Sequence, residues 1–378
     1  MSETNARDDA RFMAAAAAYA RRGLGKVWPN PAVGAIIVRD DGDGPRVVGR
    51  GNTQPPGGPH AEVVALRQAA DLARGATCYV TLEPCSHQGR TGPCAVALAE
   101  AGVKRVVIGL LDPNPRVAGR GVSMLEAGGV EVCVASGEAA RLAAELHAGH
   151  VRRVTDGRPH VILKLAVSRD GYIGRPGNGQ VLITGEDVFR RVHVLRAECD
   201  GILVGIGTVL EDDPSLSCRL PGLTHRSPVR VVLDTEARLP LSSTLVKTAE
   251  SIPVWVVVGA DADPERLEAL TAAGCMLIRL ARPEGQRLDP HAVMRALGQR
   301  GLTRLLVEGG AGVARSLMDA DLADEICISR GDVEIGDGGL RPFVDRDLSL
   351  VADLGRHELG FAFPAGRDTM MRYVRKRS

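Results

Sequence analysis

The chain has 378 residues, which is more than one hydrophobic core usually supports, so we expect two domains. Its formal net charge is +1 and 3% of its residues are aromatic, so it offers neither the basic field nor the stacking surface needed to bind nucleic acid. Its apolar runs are too short to span a membrane and its acidic N-terminus does not resemble a signal peptide, so we expect a cytoplasmic protein.

The first 151 residues alternate between helical and strand patterns. Aspartates and glycines at 41–44 predict the turn of a hairpin between the first two strands. The alternation predicts a three-layer α/β domain over residues 1–151. The expected helices are 9–22, 61–73, 94–101, 119–127 and 137–149, and the expected strands are 33–38, 47–49, 77–82, 104–109 and 130–134.

A polar run over 152–159 predicts a linker, and a second alternation of strands and helices begins at residue 160. We therefore expect a second α/β domain over residues 160–378. Beyond residue 330 the pattern is rich in glycine and predicts no element. The expected strands are 160–167, 201–205, 229–233, 253–258, 276–280, 303–307 and 324–328, and the expected helices are 186–197, 263–272, 289–300 and 312–319.

Three side chains of the first domain form a pattern typical of a catalytic zinc site. His60 stands two residues before Glu62, and Cys85 and Cys94 follow, each directly after a proline. Catalytic zinc keeps three protein ligands and leaves a position for water, whereas structural zinc is closed by four. His60, Cys85 and Cys94 are therefore the expected ligands, and Glu62 is left to move protons, as in zinc-dependent nucleobase deaminases.

The spacing of these cysteines differs from that of the general deaminase signature. Eight residues separate Cys85 from Cys94, whereas the signature has two, so we expect a subclass with a loop inserted beside the metal. Within that loop, His87 is either a fourth ligand or, as we favour, a contact to the substrate or the loop. Cys94 is predicted in the first turn of a helix, whose dipole favours its thiolate. Without the other motifs, two of eight cysteines would more often be buried thiols.

Two glycine-rich turns are the candidate binding sites of the second domain, because its sequence offers no cluster of metal ligands. Glu308-Gly309-Gly310-Ala311-Gly312 follows the strand over 303–307 and opens a helix, and Val204-Gly205-Ile206-Gly207-Thr208 has the same character. Backbone N–H groups at such junctions can approach a phosphate, although glycines there often only shape a tight turn. From the residues alone we expect two phosphate-sized openings.

Two sets of motifs resemble those of the bifunctional deaminase–reductase family of riboflavin biosynthesis. The resemblance covers almost the whole chain in collinear order, and the long loop between the cysteines is specific to this subclass. In the first domain the motifs are Asn30-Pro31-Ala32-Val33-Gly34, His60-Ala61-Glu62, 81–94, Asp112-Pro113-Asn114-Pro115 and Gly119-Arg120-Gly121. In the second they are Leu163-Lys164-Leu165-Ala166, Asp170-Gly171, His193-Val194-Leu195-Arg196-Ala197, Thr208-Val209-Leu210, Asp212-Asp213-Pro214 and Val307-Glu308-Gly309-Gly310.

The resemblance implies a cytidine-deaminase-like first domain and a dihydrofolate-reductase-like second domain. It further implies two consecutive reactions on one phosphorylated ribosylaminopyrimidine. Water displaces the exocyclic 2-amino group as ammonia, with one catalytic zinc ion and Glu62 as the proton carrier. The ribosyl group is then reduced to ribityl with a hydride from NADPH. The implied partners are this small molecule and further copies of the chain, joined through their C-terminal domains.

Matching the family's motifs position by position implies two further sets of residues. Arg196 and Arg219 are expected as forks for the 5′-phosphate, although either alone would more often be a solvated surface charge. Asp212 has the alternative of capping a helix or turn. The nicotinamide nucleotide is expected at Ala166, Leu182, Thr184, Thr208, Asp212, Thr235, Gly310, Ala311, Gly312 and Ser316, and the substrate at Gln180, Arg196, Leu216, Arg219 and Glu308.

Two single positions and one loop depart from the family's pattern. Leu182 stands where the family often has tryptophan, and Ala32 stands where a polar residue is frequent. Residues 329–339 replace a late loop that is rich in proline and lysine. The alternatives left open are a zinc deaminase with a weakened second domain, a deaminase of bases in nucleic acid, and a structural zinc site beside a ligand-sensing module.

Overall fold

The computed structural model describes residues 3–86, 92–115, 117–177, 179 and 181–376. The chain divides into two compact units, Met1–Gly157 and Arg158–Ser378. Each unit packs helices against a β-sheet, which is the α/β architecture that the sequence predicts.

The first unit has one five-stranded sheet. Its helices are α1 (Glu3–Ala20), α2 (Ala61–Ala69), α3 (Cys94–Glu100), α4 (Arg120–Ala127), α5 (Gly137–Leu146) and α6 (Ala148–Asp156), and its strands are β1 (Gly34–Arg39), β2 (Arg46–Asn52), β3 (Thr77–Val80), β4 (Arg105–Ile108) and β5 (Glu131–Val134). The strand order is β2-β1-β3-β4-β5. β1 is antiparallel to β2 and β3, whereas β3, β4 and β5 run parallel.

Neighbouring residues of β1 face opposite sides of the sheet, as the pleat of a strand requires. Ile36 belongs to a core cluster with Met13 of α1, and Ile37 belongs to another cluster with Ala65 of α2. Helices therefore cover both faces of the sheet, which confirms the predicted three-layer architecture.

Glycines allow α1 and α2 to approach the sheet closely. A Cβ atom at Gly34 would overlap the carbonyl oxygen of Ala16 in α1, and one at Gly51 would overlap the carbonyl oxygen of Ala61 in α2. Ala61 lies between His60 and Glu62 in the sequence. The close contact between β2 and α2 therefore sets the position of both side chains.

The second unit has a nine-stranded sheet with the order β10-β9-β8-β7-β11-β6-β12-β14-β13. Its strands are β6 (His160–Val167), β7 (Gly201–Gly205), β8 (Val229–Leu233), β9 (Val254–Gly259), β10 (Met276–Leu280), β11 (Arg304–Val307), β12 (Glu325–Arg330), β13 (His357–Ala365) and β14 (Asp368–Arg375). Its helices are α7 (Glu186–Glu198), α8 (Ile206–Asp212), α9 (Thr244–Lys247), α10 (Pro264–Ala272), α11 (Pro290–Gln299), α12 (Ala311–Asp319) and α13 (Ser349–Asp353). The strands from β10 to β12 are parallel, and β14 and β13 are antiparallel additions. None of the helices that the structure describes is long and apolar enough to cross a membrane.

The region predicted as a linker, 152–159, is structured differently. Its first five residues complete α6, which ends at Gly157 with a φ of 68°, a conformation that glycine adopts without strain. Arg158 is buried and forms a bidentate ion pair with Asp324, at 2.6 and 2.9 Å, so it is part of the second unit. The polar composition that suggests a linker therefore has two other causes, an exposed helix end and a buried ion pair.

Beyond residue 330, where the sequence predicts no element, the chain forms α13 and the antiparallel pair of β13 and β14. β13 is the edge strand of the sheet, and most of its residues are exposed. An edge strand of this kind lacks the alternation of apolar and polar residues from which strands are predicted.

We expect Gly51→Ala to destabilise the first unit by about 1–3 kcal/mol, because the added methyl group overlaps the backbone of α2. The chain has two tryptophans, Trp28 in the first unit and Trp255 in the second. Urea denaturation of the first unit is therefore measurable by Trp28 fluorescence in a Trp255→Phe background.

Gly23→Ala is the matched control in the same unit, because the nearest atoms to its added Cβ lie at 3.4 Å, an ordinary van der Waals distance. Its effect should stay below about 1 kcal/mol. Equal stability of the two variants would contradict the role given to the contact between β2 and α2.

Candidate active sites

The three predicted metal ligands meet where strands end and helices begin. His60 immediately precedes α2, with extended backbone at φ −71° and ψ 164°. Cys85 follows β3 after a short loop, and Cys94 is the first residue of α3. Such positions lie at one edge of the sheet, where side chains from several elements converge.

The separations of the ligand atoms suit a single zinc ion. Nδ1 of His60 lies 3.6 Å from Sγ of Cys85 and 3.3 Å from Sγ of Cys94, and the three ligand atoms are all within 4.8 Å of one another. Zinc bonds of about 2.0–2.1 Å to nitrogen and about 2.3 Å to sulfur fit these separations in a tetrahedral site. One imidazole and two thiolates are also donors that zinc prefers. His87 falls in 87–91, outside the described residues.

Glu62 lies in the first turn of α2, beside this ligand group, and is only 3% exposed. Burial raises the pKa of Glu62 to about 7. A carboxyl group with such a pKa can both accept and release a proton near neutral pH. The structure therefore places a buried carboxyl group with a raised pKa in the helix turn that follows His60, one of the predicted metal ligands.

As free thiols, the two cysteines differ in acidity. The hydrogen bond with the Cys94 thiol, helped by His60, lowers the pKa of Cys85 to about 4 in spite of burial. The same hydrogen bond, together with burial, raises the pKa of Cys94. The backbone N–H of Cys94, at the start of α3, donates to Sγ of Cys85 at 3.3 Å. The first N–H of α3 therefore helps to stabilise a thiolate at Cys85.

Glu83, two residues before Cys85, has a structural role that the sequence analysis did not predict. Its buried carboxylate accepts hydrogen bonds from the backbone N–H groups of Asp112 at 3.1 Å, Gly119 at 3.1 Å and Gly121 at 2.9 Å. Gly119 is the N-cap of α4 and has no side chain with which to cap it. Glu83 supplies that cap and so attaches the segment with Cys85 to α4.

His147 stands between α5 and α6, as the C-cap of the first helix and the N-cap of the second. The side chain is buried, and its Nε2 lies 3.0 Å from Oγ1 of Thr81, which also accepts the N–H of Gly34 at 3.1 Å. Burial lowers the pKa of His147 to about 3. A neutral histidine therefore helps to fix the start of β1 beside the end of β3.

In the second unit, the two glycine-rich turns lie next to each other. One follows β7 and the other follows β11, and these strands are parallel neighbours. Oγ1 of Thr208 accepts a hydrogen bond from the N–H of Gly310 at 3.2 Å. Gly310 is the N-cap of α12, whose first N–H groups offer donors to a phosphate. The sequence predicted two openings, and the structure joins both turns at one edge of the sheet.

Glu308 and Arg196 form the charged centre of this edge. Nε and Nη2 of Arg196, in α7, donate to the two carboxylate oxygens of Glu308 at 2.8 and 3.0 Å. Burial alone would raise the pKa of Glu308, but the positive charges of Arg196 and Lys164 lower it to about 2. The sequence predicted that Arg196 binds a phosphate. The structure pairs its guanidinium with Glu308, so its charge is balanced inside the protein.

Lys164 is the second residue that sequence reasoning missed. It lies on β6, between β11 and β12, and burial lowers the pKa of its ammonium group, an effect that the charge of Glu308 opposes. A buried lysine with a lowered pKa and a charged partner is a candidate for a functional group. The sequence did contain an indication of a special role, because Lys164 is a charged residue within an otherwise apolar run of β6.

The structure places the other predicted residues of the second unit in or beside β6, β8, α7, α8 and α12. Ala166 lies near the end of β6, Thr235 follows β8, Asp212 ends α8, Ala311, Gly312 and Ser316 lie in α12, and Leu182 and Thr184 precede α7. Leu182 is 79% exposed, Leu216 is buried and Arg219 is exposed. Burial raises the pKa of Asp212. Gln180 lies outside the described residues.

Residues 329–339, which depart from the family's pattern, contain an ordered loop. The carboxylate of Asp170 accepts the N–H of Gly336 at 2.8 Å. A Cβ atom at Gly331 would overlap the carbonyl oxygen of Ile183, so the loop packs directly against the segment before α7. The different sequence therefore still provides a defined wall beside the predicted cofactor residues.

Comparison with known families assigns the two units separately. Residues 6–110 match the family model of the cytidine and deoxycytidylate deaminase zinc-binding region. Residues 159–357 match the RibD C-terminal domain. These matches confirm the fold classes predicted for both units.

Relatives of similar length cover nearly the whole chain. The riboflavin biosynthesis protein RibD of Bacillus amyloliquefaciens is 40% identical over 331 residues, which are 88% of this chain and 86% of that protein. The RibD of Haemophilus influenzae is 36% identical over 379 residues, with coverages of 97% and 98%. The structure of Acinetobacter baumannii RibD has a TM-score of 0.84 at 34% identity and covers 98% of this chain and 100% of its own. The chain therefore belongs to the RibD family of riboflavin biosynthesis proteins.

Proposed function

We propose that this chain catalyses two consecutive steps of riboflavin biosynthesis, a zinc-dependent deamination in its first unit and an NADPH-dependent reduction in its second. The proposed substrate is 2,5-diamino-6-ribosylamino-4(3H)-pyrimidinone 5′-phosphate. One solved relative, from Thermotoga maritima, is described as a diaminohydroxyphosphoribosylaminopyrimidine deaminase and 5-amino-6-(5-phosphoribosylamino)uracil reductase, with a TM-score of 0.83 and 32% identity. The observation that carries the proposal is the convergence of His60, Cys85 and Cys94 beside the buried Glu62.

In the first reaction, His60, Cys85 and Cys94 would hold the zinc ion, which when bound supplies the Lewis acidity that makes water nucleophilic at neutral pH. Glu62 takes one proton from the attacking water and passes it to the ring nitrogen. It then carries the second proton, from the new hydroxyl group, to the leaving amine, so that the C–N bond breaks, a carbonyl forms and ammonia departs. The buried position of Glu62 keeps bulk water from competing for that proton.

In the second reaction, C1′ of the opened sugar receives a hydride, the chemistry that a bound nicotinamide nucleotide supplies. As the new C–H bond forms, the C1′=N bond is reduced and its nitrogen takes up a proton. Lys164, with its lowered pKa, is the proposed donor of that proton. Glu308 stays ionised through Arg196 and accepts hydrogen bonds from the substrate, and Arg219 binds the 5′-phosphate.

This proposal favours an active second unit over the alternative of a weakened one. The ion pair of Glu308 and Arg196 is complete, and the turns at Thr208 and Gly310 are joined. The preference for NADPH, the predicted cofactor and substrate residues, the cytoplasmic location and assembly into a homo-oligomer through residues 160–378 remain predictions that rest on the family resemblance.

Supplying the purified protein with the diaminopyrimidine phosphate should release ammonia first and then consume NADPH. Ammonia is measured with a coupled assay and NADPH by its absorbance. Ammonia release without NADPH consumption would contradict the reductase half of the proposal. Consumption of NADPH with the deaminated compound alone would support that half independently of the zinc site.

We expect Glu62→Gln to keep bound zinc but to lower ammonia release by about 100- to 10,000-fold, the usual contribution of a general acid–base group. The amide is nearly isosteric with the carboxylate but cannot carry the proton. Zinc content by atomic absorption and the rate of ammonia release give the two readouts.

Cys94→Ser is the control for this variant, because it removes a ligand and should lose both zinc and activity. NADPH consumption with the deaminated substrate should be unchanged in both variants. Full ammonia release by Glu62→Gln would instead indicate a structural metal site.

We expect Lys164→Met to lower NADPH consumption by about 100-fold or more, because the substituted side chain fills the same volume without a proton to donate. Ammonia release should remain at the wild-type rate. Lys247→Met, at the exposed end of α9, is the matched control and should leave both activities unchanged. Normal NADPH consumption by Lys164→Met would exclude the proposed proton transfer.

A further inference from the structure

Helix α7 holds the neighbouring segment, residues 216–219, by hydrogen bonds to its backbone. Nη1 of Arg196 donates to the carbonyl oxygen of Ser217 at 2.9 Å. The backbone N–H of Arg219 donates to Nδ1 of His193 at 2.9 Å. One carbonyl group and one N–H group of the segment therefore bond to side chains on the same face of α7, because His193 and Arg196 are three residues apart in the helix.

The side chains of the same face continue the contact. The rings of Phe189 and His193 have their centroids 4.1 Å apart, and the guanidinium of Arg219 lies 5.3 Å from the centroid of Phe189. The thiol of Cys218 donates to the carbonyl oxygen of His193 at 3.3 Å. His193 therefore touches this segment through its backbone and through its ring.

The segment depends on such contacts because its own conformation is unfavourable. Leu216, its first residue, has a φ of 51°, in the left-handed region. Residues other than glycine pay of order 1 kcal/mol or more in this region and keep it only where their surroundings hold them. Loss of an anchoring hydrogen bond should therefore let the segment relax.

His193 must be neutral to serve as the anchor, because a protonated ring has no acceptor nitrogen. The residue is 1% exposed, and burial together with the charges of Arg196 and Arg219 lowers its pKa to about 4. Glu308 and Lys164 are the other charged groups that act on it, in opposite directions. Near neutral pH the proton consequently resides on Nε2, and Nδ1 accepts.

We infer that His193 is a positioning residue of the reductase, whose Nδ1 fixes the backbone of Arg219 so that the guanidinium meets the 5′-phosphate of the substrate. This inference rests on the proposed function, in which Arg219 binds that phosphate. The guanidinium of Arg196 already donates three hydrogen bonds, to Glu308 and Ser217. Arg219, by contrast, has an exposed side chain.

The test compares His193→Leu with His193→Asn in the full-length protein. The two replacements are nearly isosteric, but only asparagine places an acceptor oxygen at the δ position. The phosphate lies away from C1′, so a looser Arg219 weakens ground-state and transition-state binding equally. We expect His193→Leu to raise the KM for the deaminated phosphate substrate about tenfold, the scale of one hydrogen bond, with kcat changed less than about twofold. His193→Asn should stay within about threefold of the wild-type KM.

A double-mutant cycle with Arg219→Ala shows whether His193 acts through Arg219. In the Arg219→Ala background, His193→Leu should have no further effect on KM. The KM for NADPH and the rate of ammonia release serve as internal controls and should not change. Trp255 fluorescence checks folding of the second unit, and if His193→Leu does not fold, His193→Phe replaces it, because its ring fills the volume without an acceptor.

The outcomes separate this inference from the proposed function. If the wild-type protein does not consume NADPH, the proposed reductase activity fails whatever His193 does. If it does, an unchanged KM in His193→Leu overturns the inference. So does a KM of His193→Asn as high as that of His193→Leu, or an effect of His193→Leu that persists undiminished without Arg219.

Discussion

The contact of Gly51 with the start of α2 is the constraint on which the first site depends. Because no side chain separates strand from helix, the carbonyl oxygen of Ala61 lies directly against β2. His60 and Glu62, on either side of Ala61, are consequently supported by the same rigid backbone. A metal ligand and a proton carrier must keep their mutual position within a fraction of an ångström, and close packing provides that precision.

The two cysteines reach the same place by an independent route. Cys85 follows Glu83, whose carboxylate replaces the missing cap of α4. The N–H at the start of α3 then points at Sγ of Cys85. Two different features therefore position the predicted site of the first unit. The missing side chain of Gly51 lets β2 contact α2 beside His60 and Glu62, and the buried carboxylate of Glu83 holds the segment with Cys85.

In the second unit, a single guanidinium connects the reaction centre with the substrate-binding segment. Arg196 keeps Glu308 ionised and also bonds to the backbone at Ser217. Burial makes each of these charges costly unless it is paired, so removing Arg196 would leave the buried Glu308 without its ion-pair partner. The conformation of the segment and the ionisation of the carboxylate are therefore coupled through one side chain.

Residues whose role depends on local spacing were predictable, and those whose role depends on distant partners were not. The pattern around His60, Glu62, Cys85 and Cys94 indicates zinc because ligand type and spacing are properties of the chain itself. Glu308 lies 112 residues from Arg196 in the sequence, and the residues around either one do not indicate that the two form an ion pair.

The alternation of strands and helices before residue 330, the division into two units and the grouping of His60, Cys85 and Cys94 were thus predictable from the sequence alone, since periodicity and motif spacing depend on short stretches of chain. Tertiary structure alone decided that Glu83 caps α4, that Arg196 pairs with a protein carboxylate, and that His193 accepts from Arg219. Each of these depends on burial and on groups brought together by the packing of helices on a sheet. Electrostatic energies vary steeply with distance and with exclusion of water, neither of which can be read from the order of residues.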